Sequence, residues 1–585
     1  MIVLGINYNH ANTSACILEN GKIICAVEEE RFSRIKNDAN FPINAIKFCL
    51  DKLNININKV DIITYNSDKS KNILNKILFV LKNININNLD ETFKLLRKKR
   101  NSLYDILNLN FGLKYKNKIF PLEHHLSHVA SSFYCSEFDE AIGLSIDGSG
   151  DFSTLLVAVC KNGKIYEKNR MIYPNSLGMF YQSITQYLGF NNYGDEYKVM
   201  GLSAYGEDNF SKELSKLISF NKDNFININE NYFYFGSNVK TFEIINDKIK
   251  FKNLFNEKKF EELFGFKQRK KNENLEKKHK DLACSLQKKY EEIFFQILNS
   301  IYDKYNCKYL VLAGGCAMNS LANGKILDNS KFEDFYIQPA AHDAGGALGA
   351  AMHHTYNLKN HQFKRYRYNS VYFGPEYTNQ QINKEILKFK EELNRKNIKI
   401  CFYDNFEDII DKTVSSLISS KIVGWFQGGC EWGSRALGNR SILASPKIKN
   451  MKEILNIKIK KRESFRPFAP SVLIEEADNW FENYVDDPFM MTVCKVKKSK
   501  TKIIPSVTHV DESARIQTVS KQNNIKYHSL IKKFFDETKC PILLNTSFNE
   551  NEPIVCSPID AINTFLKTEI DILVMENYML VREEN

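Results

Sequence analysis

The chain has 585 residues, 43% hydrophobic and 26% charged, with 81 Lys and Arg against 69 Asp and Glu for a net charge of +12. This composition excludes disordered, collagenous and fibrous classes, and the length predicts two to four domains at about 150 residues each. The positive balance raises nucleic acid as a partner. Thirteen scattered Cys form no CxxC pair or zinc-finger spacing and read as reduced thiols. No run of about 18 apolar residues predicts a membrane span, and MIVLGINYNH reads as a buried strand rather than a leader. The expectation is a cytoplasmic protein.

In chain order, IVLGINY and TSACILENGKIICAVEEE predict a strand followed by a hairpin around Asn20-Gly21. Residues 42–53 have helical spacing, 60–67 read as a strand, and 68–118 as a charged helical stretch containing the basic run Arg97 to Arg100. AIGLSIDGSGDFSTLLVAVCKNGKIYE repeats the opening logic of strand, polar turn, strand, Asn-Gly turn and strand. That duplication suggests two related α/β halves of the actin/Hsp70-like ATPase kind. Residues 208–275 lack clear periodicity and read as an insert, and 277–304 as a helix. KYLVLAGGCAMN is a strand, a Gly turn and a helix start, 358–372 a polar linker, and a second body with strands near 421–429 and 541–548 starts at 373.

EHHLSHVASSF places His124 and His128 four residues apart, on one face of a helix and about 6 Å apart at Cβ, which suits a shared metal. His125 points away from that face. Asp147 in the turn IDGSGD and Asp343 in AAHDAGGALGA are candidate carboxylate ligands. Two His with carboxylates suit Fe(II), Mn(II) or Zn(II). Gly314 and Gly315 can bring backbone N–H groups to a phosphate, with Asn319 facing the same crevice. Histidines, glycine pairs and charge runs also occur as turn and surface features. That plainer reading applies to His10 and to the run Glu29 to Lys36, in which Lys36 stands out. In the second body Arg435, Arg440, Lys458, Lys461, Arg462 and Arg466 fall close together among Gly, Pro and Phe. Arg515, Asn545 and Ser547 follow, and guanidinium forks match phosphate and carboxylate oxygens.

Taken together, these segments resemble the NodU/CmcH O-carbamoyltransferase family. The resemblance is carried by GINYNHANTSACIL, EEERFSRIK, HHLSHVASSF, IDGSGD, KVMGLSAYG, LAGGCAMN and HDAGGALGAA, then by SRALGNRSIL, ESFRPFAPSVL, THVDESARIQTV and LLNTSFNENEPIVCSPIDA. It runs from residue 5 to about 562. It implies an α/β chain of two domains: an actin-like ATPase-fold carbamoyl-transfer domain over 1–362, with the insert at about 208–275, and a YrdC-like carbamoyl-adenylate-forming domain over 373–585.

The implied partners are carbamoyl phosphate, ATP with Mg, and a hydroxylated small-molecule acceptor, with nucleic acid disfavoured. The implied ligands of Fe(II) are His124, His128, Asp147 and Asp343. His10 would serve as acid/base and Lys36 would offset charge at the reacting carbonyl. Gly314, Gly315 and Asn319 would hold the adenylate. Arg435, Arg440, Arg466, Arg515, Asn545 and Ser547 would take carbamoyl phosphate and ATP. The chain departs from the family pattern at Ser434, where Pro is usual, at Glu512, where Gly is common, and at Asn551, again a Gly position. A tRNA threonylcarbamoyl-type enzyme and a non-catalytic ATP-binding scaffold are the alternatives.

Overall fold

The computed structural model describes every residue except 84–101, 236–240, 246–247, 359–364, 464 and 584–585. The basic run Arg97 to Arg100 lies outside the described residues. The chain divides into two compact units. The first holds residues 1–29, 37–318 and 326–367, and the second holds 30–36, 319–325 and 368–585.

The first unit is mixed α/β and contains two five-stranded sheets of the same order. In one, β1 (Ile2–Asn7), β2 (Ser14–Glu19) and β3 (Lys22–Glu28) form an antiparallel meander; β4 (Ile62–Tyr65) joins β1 in parallel, and β5 (Ile119–Pro121) joins β4. In the other, β6 (Glu140–Gly150), β7 (Ser153–Lys161) and β8 (Lys164–Ile172) form the meander; Tyr309–Ala313 and then Asp334–Ile337 extend it in parallel. The duplication read from the sequence is thus present in the strand order. Both Asn-Gly turns have the positive φ pair of a tight hairpin, at Asn20 and Gly21 (50°, 82°) and at Asn162 and Gly163 (53°, 70°).

The predicted helix over 277–304 forms as Lys277–Tyr305. Within the stretch 68–118 the described α-helices are Ile73–Asn83 and Leu103–Phe111, the latter stopped by Gly112 at φ 67°. The insert does hold secondary structure, in pieces too short for their period to be read from sequence. These include the hairpins Ile218–Asn221 with Phe225–Ile228 and Phe242–Ile245 with Lys248–Phe251.

Small residues let the layers meet. The helix Gly345–Tyr356 lies against β1 and against the helix His124–Phe133. A Cβ on Gly349 would sit 1.8 Å from the Ser127 carbonyl oxygen, and one on Gly5 would sit 2.1 Å from that of Ala347. The Gly- and Ala-rich text of this helix is therefore a contact surface, and one methyl at either glycine would push the elements apart.

The second unit is built on an eight-stranded mixed sheet. Its order is Ile398–Phe402, Tyr578–Arg582, Ile572–Met575, Val423–Phe426, Arg440–Ala444, Ile542–Ser547, Ala469–Leu473 and Gln517–Val519. The central strands are buried on both faces, with the helices Phe406–Ile418, Ile525–Thr538 and Pro558–Lys567 contributing to the same apolar core. The N-terminal segment 30–36 belongs to this unit. Arg31 donates to the Gly433 carbonyl at 2.8 Å, and Arg34 donates to those of Pro553 and Ile554 at 2.6 and 2.7 Å. Arg31 is only 2% exposed, so this charge run is docked rather than solvated.

Candidate metal centre and anion site

The helix His124–Phe133 starts at Glu123, whose carboxylate accepts the Leu126 N–H at 2.8 Å. Arg170 holds that buried carboxylate through contacts of 2.6 and 3.1 Å. Breaking such a buried pair costs about 3–5 kcal/mol, so the helix start is firmly held. His124 and His128 fall on one face, as their spacing predicts, with ring centroids 4.6 Å apart and Nε2 atoms 3.1 Å apart. The helix therefore presents both nitrogens to one point.

Asp147 reaches the same point because the β6–β7 pairing breaks register between Ile146 and Gly150. One Asp147 oxygen lies 3.2 Å from His128 Nε2 and 3.5 Å from that of His124, while the other accepts the Gly148 N–H at 2.6 Å. Asp343, just before the helix Gly345–Tyr356, places Oδ1 3.7 Å from both Nε2 atoms. All four ligand atoms lie within 4.8 Å of one another. Ligand bonds of about 2.0–2.2 Å put neighbouring donors roughly 3–3.6 Å apart and opposite donors at most about 4.4 Å apart, so the four atoms would need to draw in by only a few tenths of an ångström to share one ion. The donor set suits a divalent transition metal.

The charges reinforce the arrangement. Burial opposes ionisation of Asp147, but hydrogen bonds from His124 and His128 hold it well below the usual carboxylate range. Burial also disfavours the His124 imidazolium. The hydrogen bond from Asp147 and the charges of Asp343 and Asp147 outweigh it, holding the imidazole up at about 9. Gly150 is required here because a Cβ would fall 2.0 Å from His124 Cδ2. Asp151 accepts from Ser67 Oγ, Asp68 N and His124 N at 2.7 to 3.0 Å and so ties this turn to the β4 end. His125 turns away, with Nδ1 2.8 Å from Ser145 Oγ, and burial keeps it neutral.

His10, in the β1–β2 loop, stands beside this cradle with its ring 5.2 Å from that of His124. Burial lowers its pKa, against the pull of Asp343, so the ring favours the neutral form that accepts a proton. Gly314 and Gly315 are brought to the same place. Gly314 has φ 92° and packs on Ile146, and a Cβ on Gly315 would lie 2.9 Å from Asp147 Oδ1. Asn319 falls in the second unit, where its carboxamide accepts the Ala322 N–H.

In the second unit the loop 431–440 wraps around the buried Glu431. One Glu431 oxygen accepts the N–H groups of Leu437, Asn439 and Arg440 at 2.9 to 3.0 Å. Burial, then the charges of Arg435 and Arg462, hold Arg515 well below its ordinary value, with Arg466 contributing and Asp487 opposing. Lys460 is likewise held low by burial, then by Arg462, Arg466 and Lys36. Lys36 is exposed and lies in this unit. Packing so many positive groups together is electrostatically costly, and an anion relieves that cost.

Two of the expected anion donors are used differently. Arg440 donates to the carbonyls of Gln427, Asn439, Pro375 and Gly428 at 2.6 to 3.0 Å, with its guanidinium 3.6 Å above the Phe426 ring. Asn545 Nδ2 donates to Ala436 O, Ser471 Oγ and Gln517 Oε1. Both staple the arginine-bearing loops. Ser547 Oγ donates to Asn549 and receives a bond from Lys460.

A carbamoyltransferase N-terminus family model matches residues 2–352, and a carbamoyltransferase C-terminus model matches residues 414–582. The chain belongs to the carbamoyltransferase family. It is 35% identical to an uncharacterised protein of Synechocystis sp., over 99% of this chain and 96% of that one. It is 36% identical to nodulation protein NolNO of Sinorhizobium fredii, over 97% and 78%. It is also 31% identical to the 3'-hydroxymethylcephem-O-carbamoyltransferase of Amycolatopsis lactamdurans, over 41% and 42%. Among solved structures, component A of (R)-2-hydroxyglutaryl-CoA dehydratase from Acidaminococcus fermentans is similar at 14% identity. It covers 60% of this chain and 96% of that one, with a TM-score of 0.32. Full-length HypF is similar at 11%, over 61% and 56%, with a TM-score of 0.31.

Sequence reasoning missed three residues of this carbamoyltransferase. Lys460 lay unmarked in IKIKKR yet is 1% exposed, with Nζ donating to Ser547 and Asn549. Tyr193 and Glu196 sit in NYGDEY, directly before KVMGLSAYG. The Tyr193 hydroxyl donates to Asp343 Oδ2 at 3.3 Å, and burial pushes Glu196 up to about 7. A glycine amid Tyr, Asp and Glu was the available signal. Among the described residues, no helix is long and apolar enough to cross a membrane.

Proposed function

We propose that this carbamoyltransferase makes an O-carbamoyl ester on a small hydroxylated metabolite in two stages. In the second unit, a YrdC-like domain in this reading, carbamoyl phosphate, water and ATP with Mg give carbamoyl-adenylate, phosphate and pyrophosphate. In the first unit, of actin/Hsp70-like ATPase type, an acceptor hydroxyl attacks the carbamoyl carbon and AMP leaves. The observation that carries the reading is the convergence of His124, His128, Asp147 and Asp343 within 4.8 Å, with His10 beside them.

These four residues would hold Fe(II), with Mn(II) or Zn(II) as other fits, and the ion would supply Lewis acidity to the carbamoyl group. His10 takes the acceptor hydroxyl proton during attack, and its neutral ring is suited to that. Asp343 and Asp147 keep their charge toward the cradle while holding single protein donors on their other oxygens. Gly314 and Gly315 let the adenylate approach the backbone of the first unit, whereas Asn319 belongs to the second. In the second unit Arg435, Arg466 and Arg515 bind the phosphates. Arg440, Asn545 and Ser547 support that site through the loops they hold. Lys36, placed in the second unit, adds positive charge to it.

The test is incubation with carbamoyl phosphate, ATP and hydroxyl acceptors under iron-replete conditions, following AMP and pyrophosphate. His128→Ala is expected to lose metal and carbamoyl transfer while retaining adenylate formation. Retained transfer in that variant would remove the metal assignment.

A further inference from the structure

Each carboxylate of the cradle has one oxygen facing the imidazoles and one held elsewhere. For Asp343 the holder is Tyr193. Oδ1 lies 3.7 Å from both Nε2 atoms, and Oδ2 accepts the Tyr193 hydroxyl at 3.3 Å. A donor on the outer oxygen of a carboxylate ligand fixes its rotation and so the direction of the inner oxygen.

Tyr193 is itself anchored in several directions. Its carbonyl accepts Asn37 Nδ2 at 3.2 Å. The following turn, with Gly194 at φ 79°, is closed by Asp195, whose Oδ2 accepts both the N–H and the amide of Asn192 at 3.1 Å. Its ring stacks on Phe251, with centroids 5.8 Å apart and planes 15° from parallel. The neighbouring Asn192 forms a backbone bridge with Lys250. Tyr193 and Phe242 also pack against Ala11, Ala39 and Ile249, and Ala11 directly follows His10. The hairpin Phe242–Ile245 with Lys248–Phe251 therefore bears on the residue that holds the ligand.

We propose that Tyr193 is a positioning residue that orients Asp343 toward the metal, and that its stack on Phe251 makes metal retention depend on this hairpin of the insert. The inference rests on the metal-binding reading above. The insert that least resembles the rest of the family thus acts on the cradle through one aromatic contact. Removing the hydroxyl frees Asp343 to rotate, and removing the Phe251 ring lets Tyr193 tilt away from Oδ2.

The experiment titrates the full-length, metal-stripped protein with Co(II), whose absorption bands also report ligand geometry. Tyr193→Phe keeps the ring and its stack and deletes only the donor. It is expected to weaken Co(II) binding about 10- to 100-fold, in the range of losses seen when a ligand's outer partner is removed. It should leave the metal-free thermal midpoint unchanged. Phe251→Ala is expected to weaken binding in the same direction by less. A wild-type protein that binds no Co(II) would sink the metal reading itself. Tight wild-type binding matched by Tyr193→Phe would overturn the role of the hydroxyl, as would a Tyr193→Phe loss accompanied by a lowered metal-free midpoint. Wild-type affinity in Phe251→Ala would overturn the link to the hairpin.

Discussion

Gly150→Ala places a methyl where His124, a proposed metal ligand, already is. The added Cβ would lie 2.0 Å from His124 Cδ2, 2.1 Å from Cγ and 2.6 Å from Nε2. Non-bonded carbons settle at about 3.5–4.0 Å, so the ring or the strand must give by roughly 1.5 Å. Metal sites tolerate only about 0.2 Å in a ligand distance, and a displacement near 1 Å in a positioned site costs on the order of 10²-fold. We therefore expect Gly150→Ala to bind metal about 100-fold more weakly or not at all, and to lose carbamoyl transfer with it. Gly148→Ala is the control, because its Cβ would meet only Met179 Sδ at 3.6 Å, an ordinary contact. Metal content after dialysis and a Co(II) titration read both variants. AMP and pyrophosphate release shows whether the second unit still works. The reasoning fails if Gly150→Ala retains wild-type metal affinity, or if Gly148→Ala loses as much.

Two further outcomes follow from the same geometry. Glu431→Ala leaves three buried N–H groups without their acceptor, at about 1–3 kcal/mol each, so the loop carrying Arg435 should lose its shape. Pyrophosphate release should fall while Co(II) binding holds; unchanged adenylate formation would show that the loop does not depend on this carboxylate. Glu196 has a folded-state pKa raised to about 7 by burial, so the folded protein binds this proton more tightly than the unfolded chain. The stabilisation is complete below the unfolded value of about 4.3 and is lost as pH rises through about 7. Metal-free wild type should thus lose stability relative to Glu196→Gln between those limits. Parallel stability curves from thermal or denaturant unfolding would refute the assignment.

Much of this arrangement can be read from local text. Asn-Gly between alternating apolar runs specifies a hairpin whose φ angles the structure bears out, and His124 with His128 needs only helical spacing to share a face. Other parts depend on packing that no local pattern encodes. Arg435 and Arg440 look alike in sequence, yet the two terminal nitrogens of Arg440 are taken up by four carbonyls because its strand carries it under the Gln427–Gly428 turn. Lys460 reads as one of several surface lysines until the strand Ile542–Ser547 and its following loop close over it. Glu512 stands where the family favours Gly, and its φ of 62° shows why, since only glycine takes that region without cost. The +12 balance likewise resolves by place, part of it concentrated around Arg515 and Lys460.

The docking of Glu30–Lys36 and Asn319–Lys325 in the second unit has a consequence for how these enzymes can be taken apart. The chain passes from one unit to the other at 29/30, 36/37, 318/319, 325/326 and 367/368. A cut in the polar stretch before Tyr368 does not release a whole second unit, because the stretch bearing Arg31 and Arg34 stays with the other fragment. Swapping halves between relatives at that single seam would pair each half with a foreign inlay. A working chimera must carry its two short inlays along with the body that receives them, so the heritable module is three pieces of sequence rather than one.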